Sequence, residues 1–401
     1  MERLNLAAIE FSLHWVSSYA HHTDRRFVDK VHFWRDIFPE NLNKHLELLQ
    51  PGESHKEVYN AGVLVAPYDR QRIKTCQSNQ FQSSTGENVI PRTGKFYPQG
   101  WAWKALNCFP QNSIPFRVVD RHKELFVADT NHPLSRYPLT LEARLIEKWH
   151  PTKERGGGCN DIATVVTEDG PGMQIPYQWM AKDCYSPYPL HRENADDDSR
   201  FYQTPRMVEH LDDTAIDQVG SIYSRLLFPG AKILDLMSSW SSHLPDSHKK
   251  CQVTGLGMNG DELAANSQLT RSVIHDLNHD PTLPFADNTF DAVVCTASIE
   301  YLIKPLEVLA EIARVTLPGG IFITTFSDRW FPGKEIEPWA DLHRFERLGL
   351  VLDYYLKTGK FENLHTESIL GLPRPITDRH IAKTRISDPI FAVWGNIKWS
   401  S

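Results

Sequence analysis

Apolar positions set the first division of this chain. Beyond residue 200 they fall in short unbroken runs, separated by stretches of helical spacing. Ile233-Leu234-Asp235-Leu236 reads as a buried strand with an acid inside it, ending in the small-residue loop Met237-Ser238-Ser239-Trp240. Val253–Leu256, Phe290–Cys295 and Ile321–Phe326 read as further strands, the last entered through Pro318-Gly319-Gly320. Helices are predicted over Asp213–Leu227, Asp261–Gln268, Leu306–Val315 and Asp341–Tyr355, with Leu306, Leu309, Ile312, Ala313 and Thr316 on one face of the third. Apolar strands alternating with helices predict an α/β fold, a parallel sheet with helices on both faces. Ligands of such sheets sit outside the carboxyl ends of the strands, where the strand order reverses. That puts a small-molecule site beside Met237–Ser242. Two late strands, Phe361–Ile369 and Ile390–Ile397, extend the sheet at one edge.

The first half has a different rhythm. Val31, Phe33-Trp34 and Ile37-Phe38 follow Asp24–Val28 at helical spacing, and Leu42, His45, Leu46, Leu48 and Leu49 make a short amphipathic run after Pro39. Strand-like runs follow at Val63–Ala66, Phe116–Val119 and Leu125–Val127. Leu139–Leu145 alternates apolar and polar, as a half-solvated antiparallel strand does. Gly156-Gly157-Gly158, Gly170-Pro171-Gly172 and Asp196-Asp197-Asp198 read as connector. The expected organisation is a helical segment over 1–50, a smaller mostly β domain over 51–150, a connector over 151–200 and the α/β domain over 201–401.

Composition narrows the partners. The net charge of −7, from 43 basic and 50 acidic side chains, gives no footprint for nucleic acid. No run approaches the roughly 18 apolar residues of a membrane span, so no membrane partner is expected. Glu10 and His14 interrupt the apolar start, which argues against a signal peptide. Cys76, Cys108, Cys159, Cys184, Cys251 and Cys295 form no C-x-x-C pair and fit a reducing compartment, so a cytoplasmic location is expected. The histidines are scattered, and no metal cluster is expected.

Candidate chemistry begins at the loop after the first strand of the α/β domain. Asp235 can orient loop amides or meet a ligand ammonium. Trp240 either caps the site or fills core space. The second strand leads into Gly255-Leu256-Gly257-Met258-Asn259-Gly260, a strand-to-helix turn with Asp261 as candidate N-cap. His275-Asp276-Leu277-Asn278, then Leu283-Pro284-Phe285 and Phe290-Asp291, come next. In order and spacing this series resembles the class I S-adenosylmethionine (SAM) dependent methyltransferases, near their type 11 group, over about residues 205–330. The resemblance implies a Rossmann-like sheet, SAM as cofactor, and a small-molecule or protein acceptor. It places Asp235, Met237, Ser238, Ser239 and Trp240 under the methionine part of SAM. Asp276 would accept from the adenine amino group, and the Leu277 amide would meet a ring nitrogen. The chain departs from the family twice. Serines replace the loop glycines, and the ribose-binding acid falls on Gly257, so that either Asn259 or Asp261 substitutes or the ribose is held more weakly.

The acceptor side has its own candidates. Thr296-Ala297-Ser298-Ile299-Glu300-Tyr301 closes a strand at the site, with Ser298 near the cofactor and Glu300 and Tyr301 read as exposed toward the acceptor. An acidic first turn of a helix explains Glu300 and Tyr301 equally. Phe201–Asp212 is dense in Tyr202, Arg206, His210 and acids. It reads as a lid or substrate wall, with Arg206 binding an anion and His210 acting as base, or as a helix with a charged outer face. For His243 a structural role is favoured.

Around residues 50–147, Thr93–Gly100, Phe109–Asn112, Pro115-Phe116-Arg117 and the turn Asp129-Thr130-Asn131-His132-Pro133-Leu134 are similar to part of the FKBP-type prolyl isomerases of the SlyD sort. That resemblance implies a degenerate module that binds peptide or packs on the methyltransferase. The family's early strand, with its pocket Tyr and Asp, has no counterpart in residues 1–50. Three functions follow: a SAM-dependent methyltransferase, a non-catalytic scaffold with a decayed SAM site, or a prolyl isomerase or chaperone with an accessory α/β domain.

Overall fold

The computed structural model describes residues 6–84, 86, 89–149, 157–176 and 189–399. Two compact units emerge. One comprises Met1–Ser18, Asp24–Ser186 and Leu342–Leu350, the other Tyr19–Thr23, Pro187–Asp341 and Val351–Ser401. Among the described residues no helix is long and apolar enough to cross a membrane.

The first unit opens with strands where the spacing predicts helix. β1 (Leu6–Val16) and β2 (His21–His32) occupy most of the segment, and only α1 (Leu42–Leu48) is helical there as expected. The reason lies in β1. Ile9, Phe11, Leu13 and Trp15 are all buried at a period of two, the signature of a strand with one face on a core. β3 (Ser54–Tyr59) and β8 (Leu139–Trp149) complete the order β2-β1-β8-β3, and β8 pairs antiparallel with both β1 and β3. Leu141, Ala143 and Leu145 of β8 join the β1 residues in one core, capped by Leu42 and Leu46 of α1.

A second, four-stranded sheet has the order β4-β7-β6-β5, from β4 (Ile73–Gln77), β5 (Phe96–Pro98), β6 (Pro115–His122) and β7 (Leu125–Asp129). Phe81, Tyr97, Phe116 and Phe126 fill its own core beside the short α2 (Trp103–Leu106). Val63–Ala66, expected as a strand, forms turns instead. In the Asn131–Leu134 turn, His132 Nδ1 accepts from the Leu134 amide at 3.1 Å, while Asn131 reaches across to both backbone groups of Asp69. The connector contributes α3 (Ile162–Thr167), N-capped by Asp161. Gly156 and Cys184 lie outside the described residues.

The second unit is the α/β part. Its strands are β9 (Lys232–Leu236), β10 (Gln252–Gly257), β11 (Arg271–Ile274), β12 (Phe290–Thr296), β13 (Thr316–Phe326), β14 (Phe361–Leu370) and β15 (Ile390–Ile397). Their order is β11-β10-β9-β12-β13-β15-β14. The first five are parallel, and β15 runs antiparallel to both neighbours. The helices are α4 (Asp198–Phe201), α5 (Asp213–Leu226), α6 (Gly260–Ala265), α7 (Pro305–Val315), α8 (Glu337–Asp341) and α9 (Arg344–Thr358), of which residues from Val351 onward fall in this unit. From β9 the chain winds outward to β10 and β11, then returns to β12 on the other side of β9. The order reverses there, so the carboxyl ends of β9 and β12 flank a crevice. Asp291 is structural: its carboxylate accepts from the Lys232 amide at 2.8 Å and fixes the start of β9.

Candidate functional site

The crevice is a cleft lined by the loop after β9, the ends of β10, β11 and β12, and the segment 202–211. It gathers Asp235, Met237, Ser238, Ser239, Trp240, Gly257, Asn259, Asp276, Leu277 and Ser298, together with Tyr202, Arg206, His210 and Tyr301. Glu300 is not among its lining residues.

Serines shape the first loop where glycines were expected. Met237 stands in the left-handed region at φ 54°, a conformation costing a non-glycine residue about 1–2 kcal/mol. The next residues hold it there. The Ser238 amide donates to Leu256 O at 2.7 Å. The Ser238 and Ser242 hydroxyls donate to Asp235 Oδ2 at 2.5 and 2.6 Å. Asn266 Nδ2 donates to Ser242 Oγ and to Ser239 O. Asp235 is thus the buried post around which the loop is wound.

Burial pushes the Asp235 carboxyl up to about 6, against the pull of the two hydroxyls. A raised native value means that stability present at low pH is lost as pH rises toward that value. Asp235→Asn is therefore expected to stabilise the protein at pH 7 by about 1–3 kcal/mol and to flatten the pH dependence between about 4 and 6. Urea unfolding from pH 4 to 8 checks this, and an unchanged pH profile would contradict it.

Gly257 explains the missing ribose acid. A Cβ built there would lie 2.1 Å from Ser238 O, so the loop backbone fills the space of any side chain. Asn259 is otherwise occupied. Its Oδ1 caps α6 by accepting from the Asp261 and Glu262 amides, and its Nδ2 donates to Tyr202 O and Gln203 O. Asn259, not Asp261, is the N-cap, and Asp261 does not line the cleft. Of the two acids in the first turn of α6, the one that does is Glu262, 7% exposed. It accepts from Ser239 Oγ at 2.5 Å and from the Arg206 amide at 2.7 Å. The sequence signal for Glu262 was only an acid five residues past the end of β10, indistinguishable from a helix-start acid.

Asp276 turns the chain after β11. Its Oδ1 accepts from the Asn278 and His279 amides. Asn278 donates to Asp198 and Tyr301 O, and accepts from the Ile303 amide, so the turn is tied to β12's exit.

Residues 202–211 form an irregular strap rather than a helix. Trp240 Nε1 donates to Val208 O at 3.2 Å, which fastens the strap to the loop. The Arg206 guanidinium lies 4.3 Å from the Phe201 ring centre and 5.3 Å from that of Phe331, a cation–π box. His210 packs edge-on against Phe331. Burial, followed by the Arg206 charge, lowers the His210 imidazole, so it is neutral near pH 7 and able to accept a proton. Burial and the Glu300 charge raise the Tyr301 phenol; burial, Asp198 and Glu300 raise that of Tyr202. Glu300 and Tyr301, expected as exposed, are 0% and 5% accessible because they form a tight turn (Ile299–Tyr301) packed under the strand ends. His243 is half-buried, and desolvation pushes it down to about 4.

Residues 238–324 match a family of methyltransferase domains. The region also resembles a demethylmenaquinone methyltransferase of Corynebacterium urealyticum, at 34% identity over 111 residues covering 27% of this chain and 46% of that protein. A ubiquinone/menaquinone biosynthesis C-methyltransferase UbiE of Burkholderia orbicola is 29% identical over 153 residues, 35% of this chain and 60% of that one. The chain thus spans about half the length of the curated relatives it matches. A SAM dependent methyltransferase of Aquifex aeolicus, 18% identical, overlays 50% of this chain and 97% of its own with a TM-score of 0.31. The methyltransferase match begins inside the Ser238–Ser242 loop and ends in β13, so it contains most of the cleft.

Proposed function

We propose that the second unit is a SAM-dependent methyltransferase acting on a small-molecule or protein acceptor in the cytoplasm. The observation that carries the reading is the cleft at the strand-order reversal, whose walls fall largely within the methyltransferase match. The residues fit the cofactor. The wound loop 237–240 offers its backbone to the methionine part, with Asp235 holding the loop. Asp276 and the Leu277 amide present an acceptor beside a donor for the adenine edge. The described hydrogen bonds of Asp276 fall on Oδ1, which leaves Oδ2 for the ligand. Glu262, which lines the cleft in the first turn of α6 after β10, is the carboxylate we assign to the ribose hydroxyls.

Bound SAM supplies a methyl group already activated by the sulfonium charge. The chain then has to position the acceptor, exclude water and take a proton where the acceptor carries one. Neutral His210 suits the last task. Tyr202, Tyr301 and Phe331 give the cleft an aromatic wall, and Arg206 gives it a fixed positive charge. A hydroxylated ring, as the names of the quinone-pathway relatives suggest, suits that wall better than an aliphatic chain does. The test is transfer of labelled methyl from SAM to a panel of phenolic and quinol acceptors and to peptides. Label in a ring product is expected. A protein that binds SAM and labels none of them supports the scaffold reading instead.

For the first unit the reading is a peptide-binding module related to the FKBP type. A cleft of about 900 Å³, lined in part by Leu64, Phe96, Tyr97, Leu106, Pro133 and Met173, favours it.

A further inference from the structure

Outside the methyltransferase cleft, three metal-ligating side chains converge in the first unit: His45, His55 and Glu57. They come from two elements. His45 stands on α1, anchored by buried Leu42 and Leu46. His55 and Glu57 are two apart on β3, so both project from the same face of the strand. His55 Nε2 lies 3.3 Å, and His45 Nε2 3.7 Å, from the same oxygen, Glu57 Oε1. The two imidazoles stack with centroids 4.1 Å apart. Tyr59, the next residue on that face, donates its hydroxyl to Glu57 Oε2.

Ligands on a tetrahedral zinc, with bonds of about 2.0–2.2 Å, stand roughly 3.3–3.5 Å from one another. The two distances to Glu57 Oε1 fall at and just beyond that range. We propose that His45, His55 and Glu57 bind a divalent cation of the zinc class, with solvent in the remaining position. Two imidazoles and one carboxylate suit zinc or nickel and do not suit calcium or magnesium, which take oxygen ligands. Tyr59 supplies the outer hydrogen bond that fixes the carboxylate's orientation. Near-parallel rings do not aim both nitrogen lone pairs at one point, so one ring has to turn. His45 is free to do so, with 47% of its side chain exposed, whereas His55 and Glu57 are more enclosed. The bound ion would tie α1 to β3 across the core that both cover.

The test is calorimetric titration of zinc chloride into the chelator-stripped full chain, with His45→Ala and His55→Ala alongside. One zinc site is expected in the wild type, weakened more than about tenfold in each variant, with Tyr59→Phe losing about tenfold. Zinc should raise the melting temperature of the wild type and leave that of His45→Ala unchanged. His45 is exposed, so its variant keeps the fold, and its metal-free melting temperature verifies this. Cobalt substitution should give visible bands without thiolate charge transfer, which separates this site from any cysteine site. No zinc binding by the folded wild type, or zinc affinity and stoichiometry unchanged in either histidine variant, would overturn the proposal.

Discussion

Asp198→Ala is expected to lower the stability of the second unit by about 3–5 kcal/mol, the cost of breaking a buried ion pair by removing one partner. Asp198 accepts from Arg192 at 2.8 Å and from Lys334 Nζ at 3.0 Å, and also from Asn278. The side chains of Arg192 and Lys334 are only 7% and 2% exposed, so alanine leaves two cations buried on one side of the cleft. Lys334 keeps only the Asp196 carbonyl as a described hydrogen-bond acceptor. Asp198 is the first residue of α4, and its carboxylate holds the Asp276 turn through Asn278, so cofactor affinity should fall along with stability. Burial alone would push Asp198 up, but the bonds from Arg192, Asn278 and Lys334 outweigh it and hold the carboxyl below its ordinary value. Its contribution is therefore complete above the ordinary carboxylate range and is lost as pH falls through the lowered value. Urea unfolding at pH 7 and in acid measures both effects. A variant as stable as wild type at pH 7 would mean that Lys334 and Arg192 find solvent without Asp198.

The second large effect runs against family logic. Installing the acid that the resemblance calls for, Gly257→Asp, is expected to abolish SAM binding rather than improve it. The new Cβ would stand 2.1 Å from Ser238 O, and Leu263 is also within 3.3 Å. The Ser238 carbonyl belongs to the loop wound around Asp235, so relief of the clash has to unwind that loop. Overpacking costs about 1–3 kcal/mol where side chains can move, and here the obstacle is backbone. Gly257→Ala should show nearly the same loss, which separates the steric effect from the charge. Tighter SAM binding in Gly257→Asp would show that the ribose site was only waiting for its acid, and that Glu262 does not fill it.

The α/β sheet was legible because its central strands are buried on both faces and read as unbroken apolar runs. β11 was not, since Arg271-Ser272-Val273-Ile274 is an edge strand with mostly exposed side chains. β1 carried a period-two signal in Ile9, Phe11, Leu13 and Trp15, but the polar β2 beside it masked the hairpin. At the site, Asp235, the 237–240 loop and Asp276-Leu277 lie next to strand ends and could be placed by counting. Glu262 could not, because an acid in a helix's first turn has a sufficient local explanation. Lys334 and Arg192 reach Asp198, and Phe331 reaches the strap, from segments with no local pattern. The same holds for His45, His55 and Glu57, which are apart in sequence and meet only because α1 packs beside β3.

The most direct measurement of the central claim is calorimetric titration of the purified full chain with SAM and with its demethylated product. The wild type should bind both at one site. Asp276→Ala should lose about 1.5–3 kcal/mol of SAM affinity, one charge-assisted hydrogen bond, while remaining folded. No heat of binding from a demonstrably folded wild type, or full affinity in Asp276→Ala, would contradict the account of this cleft as a cofactor site.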